Sequence, residues 1–261
     1  TVIGGLAGDA LTTGSDNTAV GYGALSSEDA HGKNTAIGRY ALLTLNAGSD
    51  SANTAVGYDA GRAVTTGIRN TLIGAWAGDA ITSGGYNVAV GANALSTEDG
   101  DGKNVAIGSN ALEVLNAGAD GYNVAVGHQA GVAMTTGINN TLIGGLAGDA
   151  ITTGIHNIAI GRGALGAEDG HSYNIAIGGY ALASQNAGAN AYNIAIGYDA
   201  GTNVSTGVQN TIIGGQTGDA LTTGNYNIAI GHTALSTEDT GSKNVAIGHQ
   251  SLLNLNYDGD G

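Results

Sequence analysis

The residues best suited to chemistry in this chain are carboxylates that return at fixed intervals. Asp9, Asp79, Asp149 and Asp219 recur every 70 residues, and so do the pairs Glu28-Asp29, Glu98-Asp99, Glu168-Asp169 and Glu238-Asp239. If successive turns of the chain stack, Asp79 comes within several ångströms of Glu98-Asp99. Calcium gathers about six to eight oxygens from carboxylates and carbonyls, so calcium is the one ion with a case here. The competing reading is a set of solvated acidic turns that keep the molecule soluble. Gly144-Gly145-Leu146-Ala147-Gly148-Asp149 misses the glycine-rich calcium repeat G-G-x-G-x-D, whose period is also shorter.

Other reactive types are present without a constellation. His31, His128, His156, His171, His232 and His249 fall at different points of the repeat, and none has a neighbour at zinc-site spacing. They read as exposed or turn residues. Gly161-Arg162-Gly163-Ala164-Leu165-Gly166 fits G-x-G-x-x-G, but lacks the strand–loop–helix context that seats a pyrophosphate. The threonine pairs Thr12-Thr13, Thr65-Thr66, Thr135-Thr136, Thr152-Thr153 and Thr222-Thr223 could order water as an ice-binding array, though other residues interrupt them. Tyr22, Tyr40, Tyr58 and Tyr198 follow the conserved glycine, and Tyr86, Tyr122, Tyr173, Tyr192 and Tyr226 precede the asparagine. Such amphipathic rings suit glycans or packing between subunits. No catalytic, cofactor-binding or metal-binding residue is nominated, and the chain is not expected to be an enzyme. A depolymerase of the β-helical kind would need a break in the repeat with acids clustered in a groove, and the repeat has no break.

The elements that must position these residues follow from a repeat that runs end to end. Asparagine recurs at 17, 34, 53, 70 and 87, giving spacings of 17, 19, 17 and 17 and a super-repeat of 70 that continues to Asn244. Counting from the asparagine as position 0, position 1 is always β-branched, position 3 is always Val or Ile, and position 4 is always Gly. Position 2 is Ala except at Leu72, Leu142 and Ile212. Alternation with period two marks a strand. Position 3 never admits Thr, so it is expected to be more deeply buried than position 1. The opposite face, with Asn, Ala and Gly, is expected to let a partner approach closely. A second short strand is expected around position 7, which is Ala except at Thr217 and Ser251. Position 8 cycles Leu, Leu, Gly, Gly (Leu25, Leu42, Gly61, Gly78), with Leu filling a core and Gly turning the chain.

Composition narrows the class further. The chain has 261 residues with 48 glycines and no proline, cysteine or phenylalanine, and its net charge is −14. That charge argues against a nucleic-acid binder, which needs basic side chains. No run is long and apolar enough for a membrane span, and no segment reads as a signal peptide. A helix is excluded because the apolar spacing is wrong and glycine recurs in every motif. The consistent solution is an all-β parallel β-solenoid (β-roll) with 17–19-residue coils, continuous over 1–261. Thr1-Val2-Ile3-Gly4 matches Thr71-Leu72-Ile73-Gly74 without its leading Asn, so a fragment of a longer repetitive fibre is expected. The asparagine column should form an amide ladder bonding to the layers above and below. One thin chain buries too little apolar surface to offset the entropy of ordering it. Self-association as a homotrimer is therefore expected.

The unit Asn-Thr-Ala-Val-Gly-Tyr-x-Ala-Leu, with Thr-Thr-Gly later in the coil, resembles repeats of bacterial and phage fibre proteins that often end in an endosialidase-type chaperone. Asn157-Ile158-Ala159-Ile160-Gly161 is also similar to the motif of trimeric autotransporter adhesin heads. The resemblance covers the whole chain. It implies a left-handed β-roll in a trimeric fibre, extracellular, at a cell surface or on a virion. It implies a non-catalytic shaft that projects a receptor-binding element or adheres multivalently, possible partners being host surface glycans or proteins. The alternative is an ice- or mineral-binding solenoid using threonine or carboxylate ladders.

Overall fold

The computed structural model describes residues 1–100 and 102–256. Among them every regular element is a short β-strand, and the chain divides into two compact units, Thr1–Gln129 and Ala130–Gly261. The first unit carries strands from Val2–Ile3 and Thr18–Val20 through to Val124–Val126. Each pairs in parallel with the next in sequence, position on position: Thr54 faces Thr71, Ala55 faces Leu72, and Val56 faces Ile73. The second unit runs from Thr141–Ile143 to Val245–Ile247 in the same manner, with Ile158, Ala159 and Ile160 facing Ile175, Ala176 and Ile177. The parallel β-solenoid is therefore as the sequence requires.

Which face points inward is the reverse of the expectation. The middle residue of each strand is buried, as at Ala19, Leu72, Ala159 and Ile212. Positions 1 and 3 lie half-buried or exposed, and position 3 is the more exposed at Ile37, Ile73 and Ile107. The small residues are inside because each coil is narrow. Ala at positions 2 and 7 is buried, as are residues of positions 8 and 11 such as Leu42 and Leu45, and Ala229, Ala234, Leu235 and Ala246 pack as one cluster with Leu255 against it.

No second strand forms at position 7. The coil turns there, with the amide of Ala24 donating to Gly21 O and that of Ala77 to Gly74 O, both at 3.3 Å. Positions 6, 8 and the residue before each asparagine take left-handed backbone, and they include Leu25 (φ 52°), Trp76 (φ 56°) and Tyr86 (φ 62°). This conformation costs an L-residue about 1–2 kcal/mol. It turns the N–H along the stacking direction. Trp76 donates to Tyr58 O at 2.9 Å, Leu25 to Ala41 O at 3.0 Å, and Tyr86 to Ile68 O at 2.9 Å. Each of these three residues thereby gains an inter-coil hydrogen bond.

The Leu/Gly alternation at position 8 has a volumetric origin. Leu and Gly share the left-handed turn there, so glycine is not needed for turning. A Cβ at Gly61 would sit 2.6 Å from Leu72 Cδ1, and one at Gly78 would sit 2.7 Å from Leu72 Cδ2. The large residue at position 2 takes the space that Leu holds in the neighbouring coils. Position 4 is different, for there the backbone itself decides: Gly57 (φ +145°) would bring a Cβ 2.3 Å from Gly74 O.

Candidate functional site

The asparagine file is structural, and most of its side-chain bonds go to backbone. Asn70 Oδ1 accepts the backbone N–H of Asn87 at 3.0 Å, and its Nδ2 donates to Gly84 O at 2.9 Å. Asn87 opens the following coil and Gly84 closes Asn70's own, so these bonds of the ladder join side chain to backbone. Amide-to-amide bonds also occur in the ladder, Asn123 Nδ2 donating to Asn104 Oδ1 and Asn227 Nδ2 to Asn210 Oδ1, each at 3.2 Å. The 19-residue spacing disturbs it. Asn34 and Asn104 turn Nδ2 to Gly32 O and Gly102 O, each at 3.3 Å, and Asn174 Nδ2 is buried without a partner.

Two kinds of surface remain. The first is the outer face of the strands, where positions 1 and 3 carry only Thr, Val and Ile in every coil and no charge. In the first unit Thr18, Thr35, Thr54 and Thr71 stand in rank beside Val20, Ile37, Val56 and Ile73. In the second unit Ile158, Ile175 and Ile194 continue the pattern beside Ile160, Ile177 and Ile196.

The second surface is the corner at positions 5 and 6, where residue types vary widely. In the first unit Arg39 lies 4.1 Å from the centre of the Tyr40 ring and donates to Tyr58 Oη at 2.7 Å. Tyr22 meets Tyr40 edge-on at 5.6 Å, and Tyr58 meets Trp76 likewise at 5.5 Å. Beyond this cluster Ala75 and Ala92 occupy position 5. The wall of large side chains stops there, and Trp76, Asp79, Asn93 and Ser96 line an open recess of about 370 Å³. Burial pushes the Asp79 carboxyl above its ordinary value. Asp149 and Asp219 are raised by the same cause.

The tyrosines before the asparagines lie exposed, and Tyr86, Tyr122, Tyr173 and Tyr192 pair within the chain. Arg69 Nη1 donates to Tyr86 Oη at 2.6 Å and Lys103 Nζ to Tyr122 Oη at 3.0 Å. In the second unit His156, Tyr173 and Tyr192 stack, with ring centres 5.5 and 5.1 Å apart. His232 and His249 occupy position 5 of adjacent coils with rings 5.6 Å apart. The threonine pairs spend their first hydroxyl internally: Thr12 and Thr152 donate to Asp29 O and Asp169 O at 2.9 and 2.7 Å. Gly161–Gly166 follows a strand and leads into turns, with no helix.

The recurrent glutamates are not solvated. Glu28, Glu98, Glu168 and Glu238 are fully buried, at position 11, where other coils place Leu45, Val64 or Ile81. Oε1 of Glu28 accepts the N–H of His31 at 3.0 Å, and Oε1 of Glu168 that of His171 at 2.9 Å. Asp79 lines the outer recess, so it and the buried Glu98 lie in different environments. What the structure does bring together is Glu28, Asp29 and His31, and again Glu168, Asp169 and His171. In each trio one ligand atom from every residue lies within 4.8 Å of the others. Burial pushes the Glu168 carboxyl up, opposed by the backbone and imidazole of His171. These trios fall outside the expectation from zinc-site spacing, which their residues do not follow. The signal was available as Glu-Asp-x-His, at 28–31 and 168–171.

No family model, curated protein or solved structure matches the chain.

Proposed function

We propose that this chain is a non-catalytic, self-associating segment of an extracellular fibre, of the tail-fibre or adhesin-head kind, built as a homotrimer. It would hold a receptor-binding element away from a cell or virion, or adhere weakly at many points along its length. The observation that carries the reading is the outer strand face: uncharged Thr, Val and Ile in every coil of a chain whose net charge is −14. Its ridges repeat at the strand spacing of about 4.8 Å, a relief that another copy of the same solenoid complements. The close-packing surface is thus the β-branched face, since the Ala and Asn face is spent on the chain's own core. Left-handed winding belongs to the same reading through the resemblance alone.

Sedimentation equilibrium tests it. A mass three times the 25.4 kDa of one chain is expected. The variant Val90→Lys/Ile177→Lys, which places charge on that face, should sediment as a monomer with its β-sheet circular dichroism retained. A wild-type chain that is monomeric at micromolar concentration overturns the reading. One observation favours a second use of the same face: the rank Thr18, Thr35, Thr54 and Thr71 could order water if left uncovered. Thermal hysteresis of the monomeric variant, absent from the assembly, would support that use.

A further inference from the structure

We propose that Glu28–Asp29–His31 and Glu168–Asp169–His171 are two equivalent binding sites for a divalent transition-metal ion such as zinc. The inference does not depend on how copies of the chain associate.

The trios are the same construction placed 140 residues apart, which is two super-repeats. In both, Glu is fully buried, Asp stands at the surface, and His is partly exposed between them. His171 Nδ1 lies 2.8 Å from Glu168 Oε1 and 3.6 Å from Asp169 Oδ1. His31 Nδ1 lies 3.5 Å from Glu28 Oε1. Donors bound at about 2.0–2.2 Å to one zinc ion sit roughly 3–4 Å from each other, so these separations need little adjustment.

The second observation is a buried carboxylate oxygen left unpaired in each trio. Glu28 Oε2 and Glu168 Oε2 have no hydrogen-bond partner, and neither has His31 Nδ1. A buried polar oxygen left unpaired is costly. The core position is one where the fold elsewhere accepts Leu, Val, Ile and even Gln185, also fully buried. A carboxylate is therefore not what packing requires. A divalent cation would take up the unpaired oxygen together with the other donors of the trio. The backbone N–H of the histidine, already bonded to Oε1, holds the Glu in place before any ion arrives.

The donor set selects the class of ion. One imidazole and two carboxylates suit zinc and its first-row neighbours. Calcium prefers more donors, all oxygen. The chain also carries its own comparison, because Glu98-Asp99 and Glu238-Asp239 repeat the acids while Gly241 takes the histidine's position in the last of the four coils.

The test is titration of the metal-stripped full chain with zinc chloride by isothermal calorimetry, with bound zinc counted after gel filtration. Each of His31→Gln and His171→Gln should remove one equivalent of zinc, and the double variant two. Circular dichroism should stay unchanged. Calcium at millimolar concentration should not displace the zinc. His232→Gln serves as a control for the exposed histidine pair and should leave those two equivalents in place. Zinc stoichiometry unaffected by the double variant, or no zinc bound at tens of micromolar, overturns the proposal. So does displacement of zinc by calcium.

Discussion

The inward files of the coil and its corner at positions 5 and 6 obey different rules, although the same 17-residue period generates both. Inward positions keep their residue types because each side chain is hemmed in by its own coil and the next. Asn at position 0 has its acceptor and donor assigned, and Gly at position 4 has a neighbouring carbonyl where a Cβ would go. At the corner, Leu6, Tyr40, Trp76, Asn93 and Thr233 all occupy position 6 with the same left-handed backbone. Backbone bonds alone maintain that turn, so its side chains are free to vary. Variation outside and invariance inside therefore come from one geometry.

The sharpest way to challenge that contrast is to exchange volume between two inward files. Leu72→Ala should destabilise by about 4 kcal/mol through the cavity it leaves, measured by urea denaturation at fixed protein concentration. Adding Gly78→Leu should recover part of this, because Leu95 and Leu112 already occupy position 8 with φ of 53° and 49°. Gly78→Leu alone should be damaging, since its Cβ would meet Leu72 Cδ2 at 2.7 Å. Additive effects in this double-mutant cycle would refute the volume exchange.

A smaller effect separates two members of one file. Asn70→Ala strands the buried N–H of Asn87 and the carbonyl of Gly84, at a cost of about 3 kcal/mol. Asn174→Ala should cost about half as much, because Nδ2 has no partner there and only the bond to the Asn193 N–H, at 3.2 Å, is lost. Equal losses would mean the ladder is not what fixes the asparagine.

The smallest effect lies at the corner. Burial raises the Asp79 carboxyl above the ordinary 3.8. The folded chain therefore holds that proton more tightly than the unfolded chain. Stability contributed there falls as pH rises from the unfolded value through the folded one, and the penalty is complete at neutral pH. Asp79→Asn should raise the melting temperature at pH 7 slightly, by less than about 1 kcal/mol in stability, and flatten the profile above pH 3.8. A melting temperature lowered at pH 7 would show that the carboxylate is held favourably.

Much of this was legible in the chain. Val and Ile at position 3, β-branched residues at position 1 and the constant glycine fixed the strands and their parallel register, since only stacking puts like on like in every coil. The buried asparagine file could be read in the same way, though not the direction of its bonds. The histidines of Glu-Asp-x-His were assigned to turns individually because their meaning depends on a glutamate that no local rule places in the core.

Period-two alternation says that two faces differ, but it does not say which is inside. Position 3 is the more apolar and looked the more buried, yet the coil is too narrow for two walls of Val and Ile to face one another. The small residues turn inward because Leu25, Leu42 and Leu45 arrive from the other side of the same coil. The amino-acid order determined the period, the strands and the files. Closure of the coil decided which file became core, which residues bent to the left-handed conformation to bond along the stack, and which carboxylates were carried out of water.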